Sequence, residues 1–249
     1  MKITFLGHSG FAVELAGLQL VFDYETGQLP SAEGERVFFV SHRHHDHFNP
    51  QIFNIGSSAQ TSYILSRDVR KDMKRLAVAP ETRIHYLSAD EELPLPVGKE
   101  SLRIRTLRST DCGVAFLVSC GGYQIYHAGD LHCWSWPRNT KQYQNQMIAE
   151  YRREIQKLKG EKIDLAFCPL DPRLEEHEGD GLRYFLEQTD AECVWPMHMW
   201  GKFEIVNRFM ESLEDENLKS RVVPVCRDGQ QWEWEPDGKI REKRLDSVK

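Results

Sequence analysis

The apolar run Val37-Phe38-Phe39-Val40 leads directly into Ser41-His42-Arg43-His44-His45-Asp46-His47, which sets four histidines and one aspartate within six consecutive positions. A short continuous apolar run bounded by turn residues reads as a buried strand. Whatever this chain folds into must therefore bury that strand and still free the polar segment at its end. In the H-x-H-x-D-H pattern of His42, His44, Asp46 and His47, the loop throws alternate side chains toward one point. Neutral imidazole together with carboxylate suits zinc and neighbouring first-row metals. A merely solvated histidine-rich loop needs neither the buried strand before it nor an aspartate at ligand spacing.

With 249 residues, 40% of them hydrophobic, the chain can bury a sizeable core, and nothing divides it by composition. We read residues 1–249 as one domain. The net charge is −6 and the basic residues are scattered, so no electrostatic footprint for nucleic acid or an anionic membrane is visible. The N-terminal segment reads as a strand rather than a signal peptide. No stretch approaches the roughly 18 apolar residues of a bilayer span. The cysteines (Cys112, Cys120, Cys133, Cys168, Cys193 and Cys226) stand in mostly apolar settings without a C-x-x-C pair. That argues against a zinc knuckle and a disulfide framework, and for a reducing, cytoplasmic setting.

Apolar or alternating runs place strands at KITFLG, FAVEL, LQLVFD, RVFFVS, RIHYLS, SLRIRTL, GVAFLVS and YQIYHAGD, with Gly121-Gly122 as a hairpin turn. A helix is expected over Ser66 to Leu76, capped by Ser66, and another over Arg138 to Lys159, stopped by Gly160. Strands DLAFCPL and ECVWPM then alternate with helices GLRYFLEQ and KFEIVNRFMESL, before closing strands RVVPV and QQWEWE and a solvated tail from Pro236. Two packed sheets with helices outside follow from this order.

The motif residues His42, His44, Asp46 and His47 resemble those of metallo-β-lactamase-fold hydrolases. The resemblance implies an α/β (α+β) fold, a four-layer αβ/βα sandwich of two mixed β-sheets with helices on the outer faces. It also implies two divalent metal ions, with His42 and His44 at the first and Asp46 and His47 at the second; His45 holds a variable position. A later carboxylate should bridge both ions, and the Gly129-Asp130 step of YQIYHAGDL supplies Asp130. A late histidine should complete the second position, and VWPMHMW supplies His198. The third ligand of the first position is where the chain departs: Ser109 stands where a histidine is usual, and serine is a poor zinc ligand. Asp111, two residues on, is the nearest group of ligand quality, with a place behind the ligands or a loop cap as its alternative roles. Asp46, Asp111 and Asp130 with one bridging hydroxide would balance two divalent cations. The oxygen-rich first position makes manganese or iron alternatives to zinc.

Metal-activated hydroxide between two such ions is a nucleophile at neutral pH. Asp46 would orient it and shuttle its proton, and Asp130 would hold both ions, which makes these two the catalytic carboxylates. Within the family the segments LGHSGFAVEL, LVFDY, HAGD and PMHMW are similar to the branch that includes ascorbate-6-phosphate lactonase-like proteins. His8 and Asp23 fall where that branch has residues near the metals; Asp23 reads as an acceptor fixing a ligand tautomer or as an ordinary turn aspartate, and His8 as a core histidine or a substrate contact. His132, Trp134 and Trp136 are expected at the cleft mouth, or else in the core. Arg173 is expected to pair with a substrate anion or with Asp171. His127 is excluded as a ligand by its place on the strand. The reading is a hydrolase of a small phosphorylated or carboxylated ester, lactone or phosphodiester. A nuclease of the same fold and a non-catalytic metal-binding protein with a degenerate first site are the alternatives.

Overall fold

A computed structural model of the chain describes residues 1–32, 34–55, 60–235 and 239–243. One mixed sheet contains β1 (Lys2–Gly7), β2 (Gly10–Leu15), β3 (Leu18–Phe22), β4 (Glu35–Val40), β5 (Thr61–Ser66) and β6 (Arg83–Leu87). The second contains β7 (Glu92–Val97), β8 (Glu100–Arg108), β9 (Val114–Cys120), β10 (Tyr123–His127), β11 (Leu165–Pro169) and β12 (Cys193–Met197). β13 (Gln231–Trp234) and β14 (Ile240–Glu242) return to the first sheet, beside β1. Each sheet runs antiparallel through a meander and then parallel, through β3 to β6 in the first and β10 to β12 in the second. The helices are α1 (Arg70–Met73), α2 (Lys141–Gln156), α3 (Asp180–Gln188), α4 (Glu204–Glu211) and α5 (Glu216–Ser220).

β4 shows why an unbroken apolar run was needed. Val37 and Phe39 join the core between the sheets, where Phe39 meets Phe22 at 4.6 Å and Phe116 of the opposite sheet at 5.4 Å. Phe38 and Val40 face the other way, into a second cluster with Ile52, Tyr63 and Val69. A strand buried on both faces cannot alternate polar and apolar residues. On the outside of the second sheet, Tyr151 and Ile155 of α2 and Leu182, Phe185 and Leu186 of α3 complete the same core that joins both sheets.

The sheets are laced together at one edge. Val114 N–H donates to Ser41 O (2.9 Å), His198 N–H to His8 O (2.9 Å), and His127 Nε2–H to Ser9 O (2.9 Å). The strand ends that carry polar loops therefore converge on that edge.

Several sequence expectations are corrected. Ser66 ends β5, paired with Leu87, and makes no capping bond, so the expected helix shrinks to a 3₁₀ turn at Arg67–Val69 and the single turn of α1. β7 contains Pro94 and Pro96, which hid it as a strand; it lies at the sheet edge and pairs with β8 alone, where proline is tolerated. The expected strand at RVVPV reduces to one bridge, Val194 with Val222. α2 begins at Lys141, capped by Thr140, whose hydroxyl accepts from Tyr143 N. The tail is not wholly solvated, since Ile240–Glu242 forms β14; residues 236–238 and 244–249 lie outside the described residues. Among the described residues no helix is long and apolar enough to cross a membrane.

Gly113, at φ +70°, lets the loop before β9 press on the end of β4; a Cβ there would collide with Ser41 O and come within 2.6 Å of His42 Cβ. Gly113→Ala should cost about 2–4 kcal/mol of unfolding free energy, from left-handed strain plus overpacking. Gly122→Ala, at φ +83° in open space, should cost about 1 kcal/mol. Denaturant unfolding of both checks this, and equal losses would show that the loop does not bear on β4.

Candidate metal centre

After Val40 the chain makes a tight turn in which His47 N–H and Phe48 N–H both donate to His44 O (3.0 and 2.9 Å). Phe48 is buried in the outer cluster and Asn49 Nδ2–H donates to Glu25 O (2.6 Å), so the turn is pinned at its far end. Pro50 then opens a 3₁₀ turn capped by Asn49. Asp46 and His47 are thereby folded back toward His42.

Buried Asp23, at the end of β3, orders the imidazoles. Its carboxylate accepts from Ser41 N (2.7 Å), Ser41 Oγ (2.6 Å) and His47 Nδ1 (2.8 Å). With the Ser41 hydroxyl hydrogen committed to Asp23, His42 Nδ1–H donates to Ser41 Oγ (3.0 Å). Both histidines are thus set with Nε2 as a bare lone pair, a tautomer assignment that the hydrogen-bond network dictates. Burial alone would raise the Asp23 carboxyl; the charges of His127 and His47 and the His47 hydrogen bond hold it below its ordinary value. His198 is ordered in the same manner by Asp171, to which its Nδ1–H donates at 2.9 Å.

The consequence appears at Asp130. Its Oδ1 lies 3.2 Å from His47 Nε2 and 3.3 Å from His198 Nε2, and its Oδ2 lies 3.5 Å from His42 Nε2. Asp130 Oδ1, His47 Nε2 and His198 Nε2 are buried and have no hydrogen-bond partner. Buried polar atoms are almost always satisfied, and three lone-pair atoms facing one another repel unless something positive stands between them. Without a cation the same field draws a proton: burial would lower the His47 pKa, but Asp130 and Asp23 raise it well above the ordinary value. This donor set fits a divalent cation.

Asp46 Oδ2 lies 3.8 Å from His198 Nε2, 3.9 Å from His47 Nε2 and 3.2 Å from His8 Nε2. One ligand atom from each of His8, Asp46, His47 and His198 falls within 4.8 Å of the others. Toward solvent, His42 Nε2 is 3.0 Å from His44 Nδ1, which is 3.2 Å from Asp111 Oδ2. Burial pushes His42 down to about 3, with His47 adding to the effect. Burial and Asp130 raise the Asp111 carboxyl.

The structure thus brings His42, His44, Asp46, His47, Asp111, Asp130 and His198 together, with Asp23 behind His47 and His8 against Asp46. His45 points to solvent, with its side chain 90% exposed. Ser109 does not face the cluster: its hydroxyl accepts from Asp111 N–H (3.1 Å) and shapes the loop that presents Asp111. His127 stays outside, donating to Ser9 O while its Nδ1 accepts from Gly129 N–H (3.1 Å). Of the two places expected for His132, the cleft mouth or the core, it takes the core. It is buried against Trp134 and Tyr151, with its backbone N–H held by Thr110 Oγ1 (3.0 Å), and burial lowers it to about 4.

A cleft of about 220 Å³ opens over the cluster, lined by His44, Asp46, Asp111 and Asp130 together with Trp134, Trp136, Met147 and Arg173. Trp134 and Trp136 stack at 5.7 Å. Arg173 is held by Asp171 through Nε (3.0 Å) and Nη2 (2.6 Å) and lies over the Trp136 and Trp200 rings at 5.3 and 4.5 Å.

Sequence reasoning missed two groups. It weighed Asp171 only as a partner of Arg173, although its place just past β11 matches that of Asp23 just past β3. It also set Cys112 among the apolar cysteines, whereas Cys112 Sγ lies 3.7 Å from both His44 Nε2 and Asp111 Oδ2.

Two mixed sheets in one sandwich, with a histidine and aspartate cluster at their shared edge, define the metallo-β-lactamase class of fold. Residues 2–146 match the family described as Beta-lactamase superfamily domain, and the chain belongs to that family. A protein described as a UPF0173 metal-dependent hydrolase from Alkaliphilus metalliredigens is 22% identical over 240 residues, covering 89% of this chain and 95% of that one. Another of the same description, from Carboxydothermus hydrogenoformans, is 25% identical over 208 residues, covering 80% and 84%. Among solved structures, Igni18, a metallo hydrolase from Ignicoccus hospitalis, superposes with a TM-score of 0.64 at 16% identity, over 98% of this chain and 99% of that one. The metallo-beta-lactamase fold protein YhfI from Bacillus subtilis gives a TM-score of 0.57 at 14% identity, over 93% and 99%. At these identities the structures establish the fold alone.

If Asp171 fixes the His198 tautomer, Asp171→Asn should weaken zinc binding by about 10–100-fold while leaving the fold intact. Competition against a chromophoric chelator, with circular dichroism as the control, measures this; unchanged affinity would remove Asp171 from the centre.

Proposed function

We propose that this chain is a hydrolase dependent on two divalent metal ions that cleaves a small ester, lactone or phosphodiester. The reading is carried by the three buried, unpartnered donor atoms of His47, Asp130 and His198. His42, His44 and Asp111 would hold the first ion, Asp46, His47 and His198 the second, and Asp130 both. Zinc is the first choice, with manganese or iron as alternatives, since carboxylates make up much of the donor set. When bound, such a pair supplies a hydroxide nucleophile at neutral pH and polarises the bond attacked.

The chain's own groups do the rest. Burial would raise the Asp46 carboxyl, but the His8 hydrogen bond and the His47 charge keep it ionised, so it can accept a hydrogen from the attacking water and pass it to the leaving group. Trp134 and Trp136 form an apolar wall that positions the substrate and excludes water from one side. Arg173, with Asp171 holding two of its nitrogens, presents a fixed positive charge to a carboxylate or phosphate on the substrate. A cleft of about 220 Å³ is smaller than the roughly 300–1,000 Å³ of most ligand sites. This favours a small molecule over a nucleic-acid strand, and the similarity to the lactonase-like branch belongs to the same reading. All six cysteines are free, in keeping with a reducing, cytoplasmic setting.

Purified protein should turn over bis-p-nitrophenyl phosphate or a simple lactone, and a chelator should abolish turnover until zinc or manganese is restored. Asp111→Ala should lose one ion by elemental analysis and keep the other, whereas Asp130→Ala should lose about 10³-fold or more in rate. Turnover indifferent to chelator would refute the metal-dependent reading, and none on either substrate would favour a non-catalytic metal-binding protein.

A further inference from the structure

We propose that Cys112 supplies a thiolate ligand to the first metal position, beside His42, His44 and Asp111, in place of the histidine missing at Ser109. The proposal rests on the metal-dependent reading above. One ligand atom from each of these four side chains lies within 4.8 Å of the others. Cys112 Sγ is 3.7 Å from both His44 Nε2 and Asp111 Oδ2. Zinc bonds of about 2.3 Å to sulfur and 2.0 Å to nitrogen or oxygen at tetrahedral angles set donors about 3.5 Å apart. The His44 ring stands among these donors, Nδ1 toward His42 and Asp111 and Nε2 toward Cys112; either nitrogen can donate, according to the ring's orientation.

The rest of the cluster points to a ligand independently of the cysteine. His42 is fully buried, and with its Nδ1–H committed to Ser41 its Nε2 lone pair faces this position. The loop carrying the thiol is pressed onto that same residue at Gly113. No other cysteine belongs to such a group among the described residues.

The two positions then differ in kind. The second has imidazole and carboxylate donors, which accept zinc, manganese or iron alike. A soft thiolate draws thiophilic ions, zinc above all, to the first and disfavours manganese there. Cys112 is the residue on which that selectivity turns.

Cobalt(II) titration of the metal-free protein tests this without reference to activity. The wild-type chain should show visible d–d absorption together with a thiolate-to-cobalt charge-transfer band in the near ultraviolet; Cys112→Ser should keep the first and lose the second. On the unaltered chain, zinc should slow alkylation of Cys112 by iodoacetamide about tenfold or more, because a coordinated thiolate is no longer a free nucleophile. Exposed Cys226 should react equally with and without zinc and serves as the internal control. Cobalt absorption without the charge-transfer band, with Cys112 alkylated at one rate throughout, would overturn the thiolate ligand and leave the hydrolase reading standing. Failure of cobalt and zinc to bind at all would overturn both.

Discussion

A single buried carboxylate, Asp23, holds the working edge of this protein together. It takes hydrogen bonds from the backbone and hydroxyl of Ser41 and from His47, so the end of β3 is tied to the end of β4 and to the turn beyond it. Three donors and two nearby imidazoles offset the cost of burying its charge. Through His47 directly, and through Ser41 to His42, it also decides which ring nitrogens carry hydrogen. Structural anchoring and donor chemistry are therefore inseparable here. A neutral residue at this position would loosen the β4 loop and free two imidazoles to take the wrong tautomer.

The second sheet repeats the device with different residues. Asp171, past the end of β11, orients His198, past the end of β12. Each sheet thus contributes a carboxylate-oriented histidine, and Asp130 receives both. The same edge concentrates backbone strain: His8, Asp23, His198 and Trp200 all have positive φ, at 48°, 42°, 67° and 55°. Each such residue costs about 1–3 kcal/mol and persists only when its surroundings over-determine it. Here those surroundings are the inter-sheet aromatic core, with Phe11 stacked on Phe167 at 4.0 Å, and the bond from His198 N–H to His8 O that ties two of the strained residues together.

What could be read from the chain was whatever local patterning determines. The run from Val37 to Val40 announced a strand buried on both faces, and H-x-H-x-D-H at its end announced the cluster, because both signals lie within a dozen residues. Asp130 and His198 were legible only through the resemblance, which looks for a carboxylate and a late histidine just past apolar strands; alone each would read as a turn aspartate or a core histidine. The features that escaped depend on contacts remote in sequence. Cys112 sits before an apolar strand and looks structural until Gly113 is pressed against His42, which comes 71 positions earlier in the numbering. Asp171 looked like the partner of its neighbour Arg173, and it is; the second bond, to His198, is set by β11 and β12 lying side by side. His132 shares the loop of Trp134 but turns inward, because Thr110 captures its backbone. β5, whose TSYILS sets small hydroxyl side chains around a short apolar centre, and β7, interrupted by two prolines, are revealed only by their pairing partners.

The charges of the cluster bear on what can enter it. On the proposed two-ion reading, Asp46, Asp111 and Asp130 would set three negative charges against the four of two divalent ions, and a Cys112 thiolate would complete the balance before any nucleophile arrives. Arg173, which also lines the cleft, is already paired with Asp171 through two of its nitrogens. A multiply charged phosphate monoester would then meet almost no net attraction and would bring its own charge into a low-dielectric cleft, where unbalanced charge is costly. On the same reading a neutral ester or lactone, or a substrate with one anionic group for Arg173, would carry no such penalty, and its apolar part would have the stacked Trp134 and Trp136 to lie against. On the thiolate reading, the cysteine that takes the place of a neutral imidazole shifts the preference of the cleft from strongly charged substrates to weakly charged ones.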